Sequence, residues 1–148
     1  MKKITGLVLL AIVISTSSFA THIHDNVDKQ VSNAFGRKFA DAKEVSWSKT
    51  EQYAKASFTQ HGQVFFAYFT PTGELMAVSR NILSSTLPIK LLTGLKKDYS
   101  NEWITDLFEF ATEQETVYYA TLENADEKIL LKSVSLNTWS VYQTIKKI

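Results

Sequence analysis

From Asp25 to Phe39 the apolar positions Val27, Val31, Ala34, Phe35 and Phe39 recur at helical spacing, while Asp28, Lys29, Arg37 and Lys38 fall largely on other faces. The pattern predicts an amphipathic helix that Gly36 weakens without forbidding. The period then changes to two. "KEVSW" (43–47), "YAKASFT" (53–59), "QVFFAYF" (63–69) and "ELMAVSR" (74–80) predict four strands, and His61-Gly62 and Pro71-Thr72-Gly73 supply the turn chemistry between the last three. The same order then returns. "LPIKLLTGLKKDY" (87–99) predicts a helix with Pro88 in its first turn, where a missing N–H is harmless. "WITDLFEF" (103–110), "TVYYATLE" (116–123), "KILLKSV" (128–134) and "TWSVYQTI" (138–145) predict four further strands. "AFGRKF" aligns with "GLKKDY", so we read an internal duplication with pseudo-repeats at 25–80 and 87–145. The expected fold class is α+β: a tandem helix plus four-strand meander, building an antiparallel sheet with helices on one face and the other face open.

Alternation of side chains assigns the two faces. If His61-Gly62 is a two-residue turn, Phe58 lies opposite Phe65, Ala56 opposite Ala67 and Ala54 opposite Phe69. Small alanines beside large rings suit a surface on which a helix rests, so this is the core face. Tyr53, Lys55, Ser57, Val64, Phe66 and Tyr68 then share the other face. In the second half Tyr118, Ala120, Leu122, Ile129 and Leu131 go under the helix, and Val117, Tyr119, Thr121, Leu130 and Lys132 go opposite. Aromatic rings mixed with lysine, serine and threonine make neither a dry core nor an ordinary solvated surface. Such patches mark interaction sites.

The first 20 residues belong to neither pattern. Lys2-Lys3, an apolar run of 11 residues from Ile4 to Ile14, and "STSSFA" have the three regions of a secretory signal peptide, with the cut after Ala20. The run is too short to span a bilayer, which takes about 20 residues. Residues 21–148 are expected to form a single exported domain, periplasmic or secreted. This domain has no cysteine, so its stability must come from packing, and a lipid anchor on a cysteine is excluded. Without the leader, 14 basic residues face 15 acidic ones. A balanced chain without basic clusters offers no electrostatic reason to expect nucleic acid or an anionic membrane as partner.

Candidate chemistry is sparse. His22 and His24 are two apart, but no third ligand is identifiable, so they read as a polar tail and no metal or other cofactor is expected. There is no G-x-S-x-G, no S-x-x-K with partners and no glycine-rich phosphate loop, and the acid pairs Asp41 with Glu44 and Asp106 with Glu109 read as solvated surface charge. No catalytic residue is assigned. Trp47 and Trp139 are divided between core packing and the open face, because their strand parity is not set across the preceding loops.

The order "FADAKEVSW", "YAKASF", "GQVFFAYFTPTGEL" and "LPIKLL" resembles the PepSY-like proteins of Bacteroidetes envelopes, whose fold is similar to that of the β-lactamase inhibitor protein. Phe39, Trp47, Tyr53, Phe58, Phe69, Gly73, Leu87 and Pro88 carry the resemblance, which covers roughly residues 30–148. It implies a helix-backed sheet with a concave open face and an exported protein, and by analogy with the inhibitor it implies protein binding. The expected function is therefore a non-enzymatic binding module that holds a protein or peptide. Tyr53, Phe66, Tyr68 and Tyr119 would be apolar anchors, Lys55 and Lys132 would orient an acidic or carbonyl-rich partner, and Trp47 and Trp139 are further candidates. Homodimerisation through the same face, or carriage of a small apolar ligand, are the alternative readings.

Overall fold

In the computed structural model of the protein, residues 27–148 are described. The expected leader with its cut after Ala20, the His22–His24 pair and the first two residues of the expected helix lie outside them. The elements run α1 (Lys29–Lys38), β1 (Lys43–Lys49), β2 (Ala54–Gln60), β3 (Gln63–Phe69), β4 (Leu75–Asn81), a short 3-10 turn (Ser84–Thr86), α2 (Ile89–Asp98), β5 (Trp103–Ala111), β6 (Thr116–Glu123), β7 (Glu127–Val134) and β8 (Thr138–Lys146). All eight strands form one antiparallel sheet in chain order, β1 through β8.

Local chemistry explains the joints. His61 and Gly62 both adopt positive φ, 51° and 76°, between Gln60 and its partner Gln63. That is the backbone twist a two-residue hairpin needs. The β1–β2 and β5–β6 turns are built alike from Thr-Glu-Gln, at residues 50–52 and 112–114. The Thr50 hydroxyl accepts from the N–H groups of Gln52 and Tyr53, and the Thr112 hydroxyl accepts from those of Gln114 and Glu115. Each hydroxyl also donates to the carbonyl three residues on, at 3.2 Å in both turns.

Both helices lie on the same side of the sheet. α1 sets Val31, Ala34 and Phe35 on Ala54, Ala56, Phe58, Ala67 and Phe69. The alanines leave room for the Phe35 ring, which meets Phe39, Trp47, Phe58 and Phe69 with centroids 5.1 to 6.2 Å apart. α2 sets Leu91 and Leu95 on Leu107, Tyr118, Ala120, Leu122, Ile129 and Leu131, an aliphatic counterpart. Each fully buried side chain of this size contributes about 1.5–3 kcal/mol. The strand register carries this face across the middle of the sheet, from Val78 and Arg80 on β4 to Glu109 on β5 and Tyr118 on β6. There Arg80 bridges to Glu109 at 3.3 Å and donates to Gln63 at 3.1 Å.

Among the described residues no helix is long and apolar enough to cross a membrane. Nor does any group of three metal-ligating side chains come together there.

Candidate functional site: the uncovered face of the sheet

The opposite face carries no helix among the described residues, and its side chains are set by the β2–β3 and β6–β7 registers. Lys55 pairs with Tyr68, Ser57 with Phe66, and Tyr119 with Lys132, so Lys55, Phe66, Tyr68, Tyr119 and Lys132 all project there. Tyr53, one residue before β2, joins them through an edge contact with Tyr68 at 5.7 Å.

Two strands that sequence reasoning left unassigned complete the surface. Phe108 and Phe110 on β5 pair with Tyr119 and Val117, and Ser79 and Asn81 on β4 pair with Phe110 and Phe108. Two groups of rings result, joined where Phe108 and Phe110 both pack on the Val117–Tyr119–Leu130 cluster. Tyr68 meets Phe110 at 5.9 Å, Phe108 stacks on Tyr119 at 4.9 Å with the ring planes 12° apart, and Tyr119 meets Tyr142 edge-on at 6.1 Å. Such pairs are each worth roughly 0.5–1.5 kcal/mol beyond their buried area. Phe108 and Phe110 went unread because Thr105 forms a bulge between Ile104 and Asp106, which shifts the parity of β5. A bulge in β8 between the partners of Leu130 and Leu131 hid Tyr142 in the same way. The one available signal was the Phe-Glu-Phe alternation at 108–110.

The centre of this face is not bare. Val117, Tyr119 and Leu130 form a small cluster of their own, and Tyr119 is only 8% exposed beneath Phe108 and Tyr142. Tyr119 is therefore a platform rather than an accessible anchor, and the half-buried rings around it form the contact surface. Burial raises its phenol above the ordinary value, and the neighbouring Tyr142 hydroxyl adds to the effect. Burial likewise raises Tyr68, with the Ser79 hydroxyl opposing the shift. Both phenols stay neutral at physiological pH, able to donate as well as accept hydrogen bonds.

Two tryptophans go elsewhere. Trp47 pairs with Ala56 and packs on Phe35 and Phe69, on the helix side. Trp139 pairs with Ser133 and donates its indole N–H to the Leu91 carbonyl at 2.9 Å, again under a helix. Neither belongs to the open face. The alanines below α1 accommodate the first indole, and Gly94 of α2 accommodates the second, since a Cβ there would lie 3.4 Å from its ring.

Charge is distributed unevenly over the surface. The Lys55 ammonium sits 5.0 Å over the Phe66 ring, a cation–π contact. Among the described residues neither Lys55 nor Lys132 takes part in an ion pair. At the far end Glu123 is already neutralised by Lys128 and Lys147, each at 3.0 Å. A shallow depression of about 160 Å³ lies among Lys55, Phe66, Tyr68, Ser79, Phe108 and Phe110. Pockets that enclose a small ligand run to roughly 300–1,000 Å³.

The chain matches no protein-family model and no curated protein. Its fold does match solved structures. A DUF2874 family protein from Bacteroides ovatus ATCC 8483 superposes with a TM-score of 0.72 at 16% identity, over 82% of this chain and 89% of that one. A BLIP-like protein from Bacteroides fragilis NCTC 9343 gives 0.67 at 17% identity, over 80% and 85%. A Bacteroides eggerthii DSM 20697 protein, provisionally described as periplasmic, gives 0.72 at 14% identity, over 81% and 88%. The fold is thus the BLIP-like one, and at these identities the likeness concerns the fold alone.

Proposed function

We propose that the chain is an exported, non-enzymatic binding module that holds a protein or peptide segment on the uncovered aromatic face. The observation that carries this reading is a pair of aromatic groups, Tyr53–Tyr68–Phe110 and Phe108–Tyr119–Tyr142, joined through the Val117–Tyr119–Leu130 cluster on a face that no helix covers among the described residues. Rigid rings offer contact area at little entropic cost. Lys55 and Lys132 favour an acidic or carbonyl-rich segment, and the size of the depression favours a chain laid over the surface above a small molecule enclosed within it.

The leader at residues 1–20 and the BLIP-like fold support export to the periplasm or beyond. The identical Thr-Glu-Gln turns at 50–52 and 112–114 support the reading of a duplicated helix-plus-meander unit, and the quoted segments from Phe39 to Pro88 support a PepSY-like origin. A concave open face would follow from the right-handed twist of eight strands wrapped on two helices.

Peptide-library selection against the purified protein, with a Phe66→Ser/Phe110→Ser variant as the counter-target, tests the reading. Extended acidic peptides carrying an aromatic residue are expected to bind the native face and to lose about tenfold or more in affinity on the variant, the effect of removing one well-packed anchor. Selected peptides that bind both proteins equally would place the site elsewhere.

A further inference from the structure

β4 is the low row of the uncovered face. Register and alternation put its Ala77, Ser79 and Asn81 on that side, with Tyr68 and Phe66 of β3 along one flank and Phe110 and Phe108 of β5 along the other. Short side chains therefore lie between two rows of rings, and the depression of about 160 Å³ follows from that difference in size. Its floor is polar. Ser79, set between Phe66 and Phe110, is only 6% exposed and lines the depression together with Asn81. Its rim carries a single charge. The half-buried Lys55 holds its ammonium 5.0 Å over the Phe66 ring and joins no ion pair among the described residues, and no acid lines the depression.

A cation, two neutral donors in the Ser79 hydroxyl and the Asn81 amide, and apolar walls are complementary to an anion carried on an apolar stem. One ammonium matches a carboxylate. A phosphate, with close to two charges, would be left half-neutralised among the rings. Size sets the scale, since a cavity of about 150 Å³ holds one group the size of benzene. We propose that this depression is the specificity subsite of the uncovered face and receives one glutamate or aspartate side chain of the bound segment. The carboxylate sits between the Lys55 ammonium and the Ser79 and Asn81 donors, with its methylene stem against Phe66, Phe108 and Phe110. Lys132 takes no part in holding this acid. It lies five strands away, about 24 Å at the usual spacing of about 4.8 Å. The subsite rests on the reading of the face as a peptide-binding surface, and adds where the acid sits, which residues select it and that one position of the segment is fixed. Half-burial among rings makes such a pair worth more than one on an open surface.

The test is a peptide-library selection on the native protein, followed by affinity measurements of the recovered peptides on Lys55→Glu, Ser79→Leu and Phe66→Ser/Phe110→Ser, with circular dichroism to check that each variant is folded. Peptides that bind the native protein and are lost on Phe66→Ser/Phe110→Ser are expected to share a glutamate or aspartate at one position. Replacing that acid by its amide should cost about tenfold in affinity for the native protein. On Lys55→Glu the order should reverse, the amide binding better than the acid and a lysine there better still. Ser79→Leu, which fills the floor, should bring the acidic peptide down to the level of its amide; if this variant does not fold, Lys55→Glu decides alone. Face-dependent peptides with no shared acid, or an acid preference that survives Lys55→Glu, overturn the subsite and leave the face a binding surface. Peptides that bind Phe66→Ser/Phe110→Ser as tightly as the native protein overturn the reading of the face, and the subsite with it.

Discussion

Glu123 closes one end of the uncovered face, held between the ammonium groups of Lys128 and Lys147 and taking a hydrogen bond from the Thr105 hydroxyl. Lys128 first and Lys147 second lower its carboxyl from about 4.5 to about 2. Because the folded value is depressed, the contribution is present above pH 4.5 and is lost as pH falls toward 2. Carbon NMR titration of the Glu123 carboxyl should therefore show a midpoint near 2, moving toward the ordinary range in Lys128→Ala. A wild-type midpoint near the ordinary value would mean that the two bridges do not hold in solution. Trp139 makes a second test at this scale, since its N–H bond to Leu91 ties β8 to α2. Trp139→Phe should cost about 1–3 kcal/mol in urea unfolding, from the lost N–H bond to α2 together with lost contact area.

At the scale of elements, the two glycines near α1 predict opposite outcomes. Gly36 lies inside the helix, and a Cβ there would meet nothing within 4 Å. Gly36→Ala should stabilise the protein by about 0.5–1 kcal/mol, read as a higher thermal midpoint. Gly73 closes the β3–β4 turn at φ +86°, with a Cβ position 3.1 Å from the Gln30 carbonyl oxygen. Gly73→Ala should destabilise it by about 1–2 kcal/mol. If both changes moved stability the same way, the assignment of these two positions would be wrong. Elements with strict alternation were legible from sequence: the two-residue turn sets Phe58 opposite Phe65, and alternation puts Tyr119 and Lys132 on one face. β5 and β8 were legible as strands but not as faces, because a bulged residue inverts parity and carries no compositional mark.

For the whole molecule, the aromatic cluster under α1 and the aliphatic cluster under α2 are separate cores on one sheet. They are joined where β4 meets β5 through four register pairs and the Arg80–Glu109 bridge. Leu91→Ala, at a fully buried position, should cost about 2–5 kcal/mol. Native-state hydrogen exchange should show the loss concentrated in β6 and β7, with β2 and β3 largely protected. A uniform loss across all eight strands would show that the sheet opens as a single unit.

Periodicity and turn residues were enough to set the helix-and-strand order, the tight His61-Gly62 hairpin and which face of β2, β3, β6 and β7 meets a helix. Those properties are local, written over a few neighbouring positions. Only the assembled sheet turns Trp47 and Trp139 inward, completes the aromatic face with Phe108, Phe110 and Tyr142 while Tyr119 sinks beneath them, and sets β1 and β8 as the edges of the sheet among the described residues. Bulges, inter-strand contacts and edge position depend on residues distant along the chain, so no short stretch of it can express them.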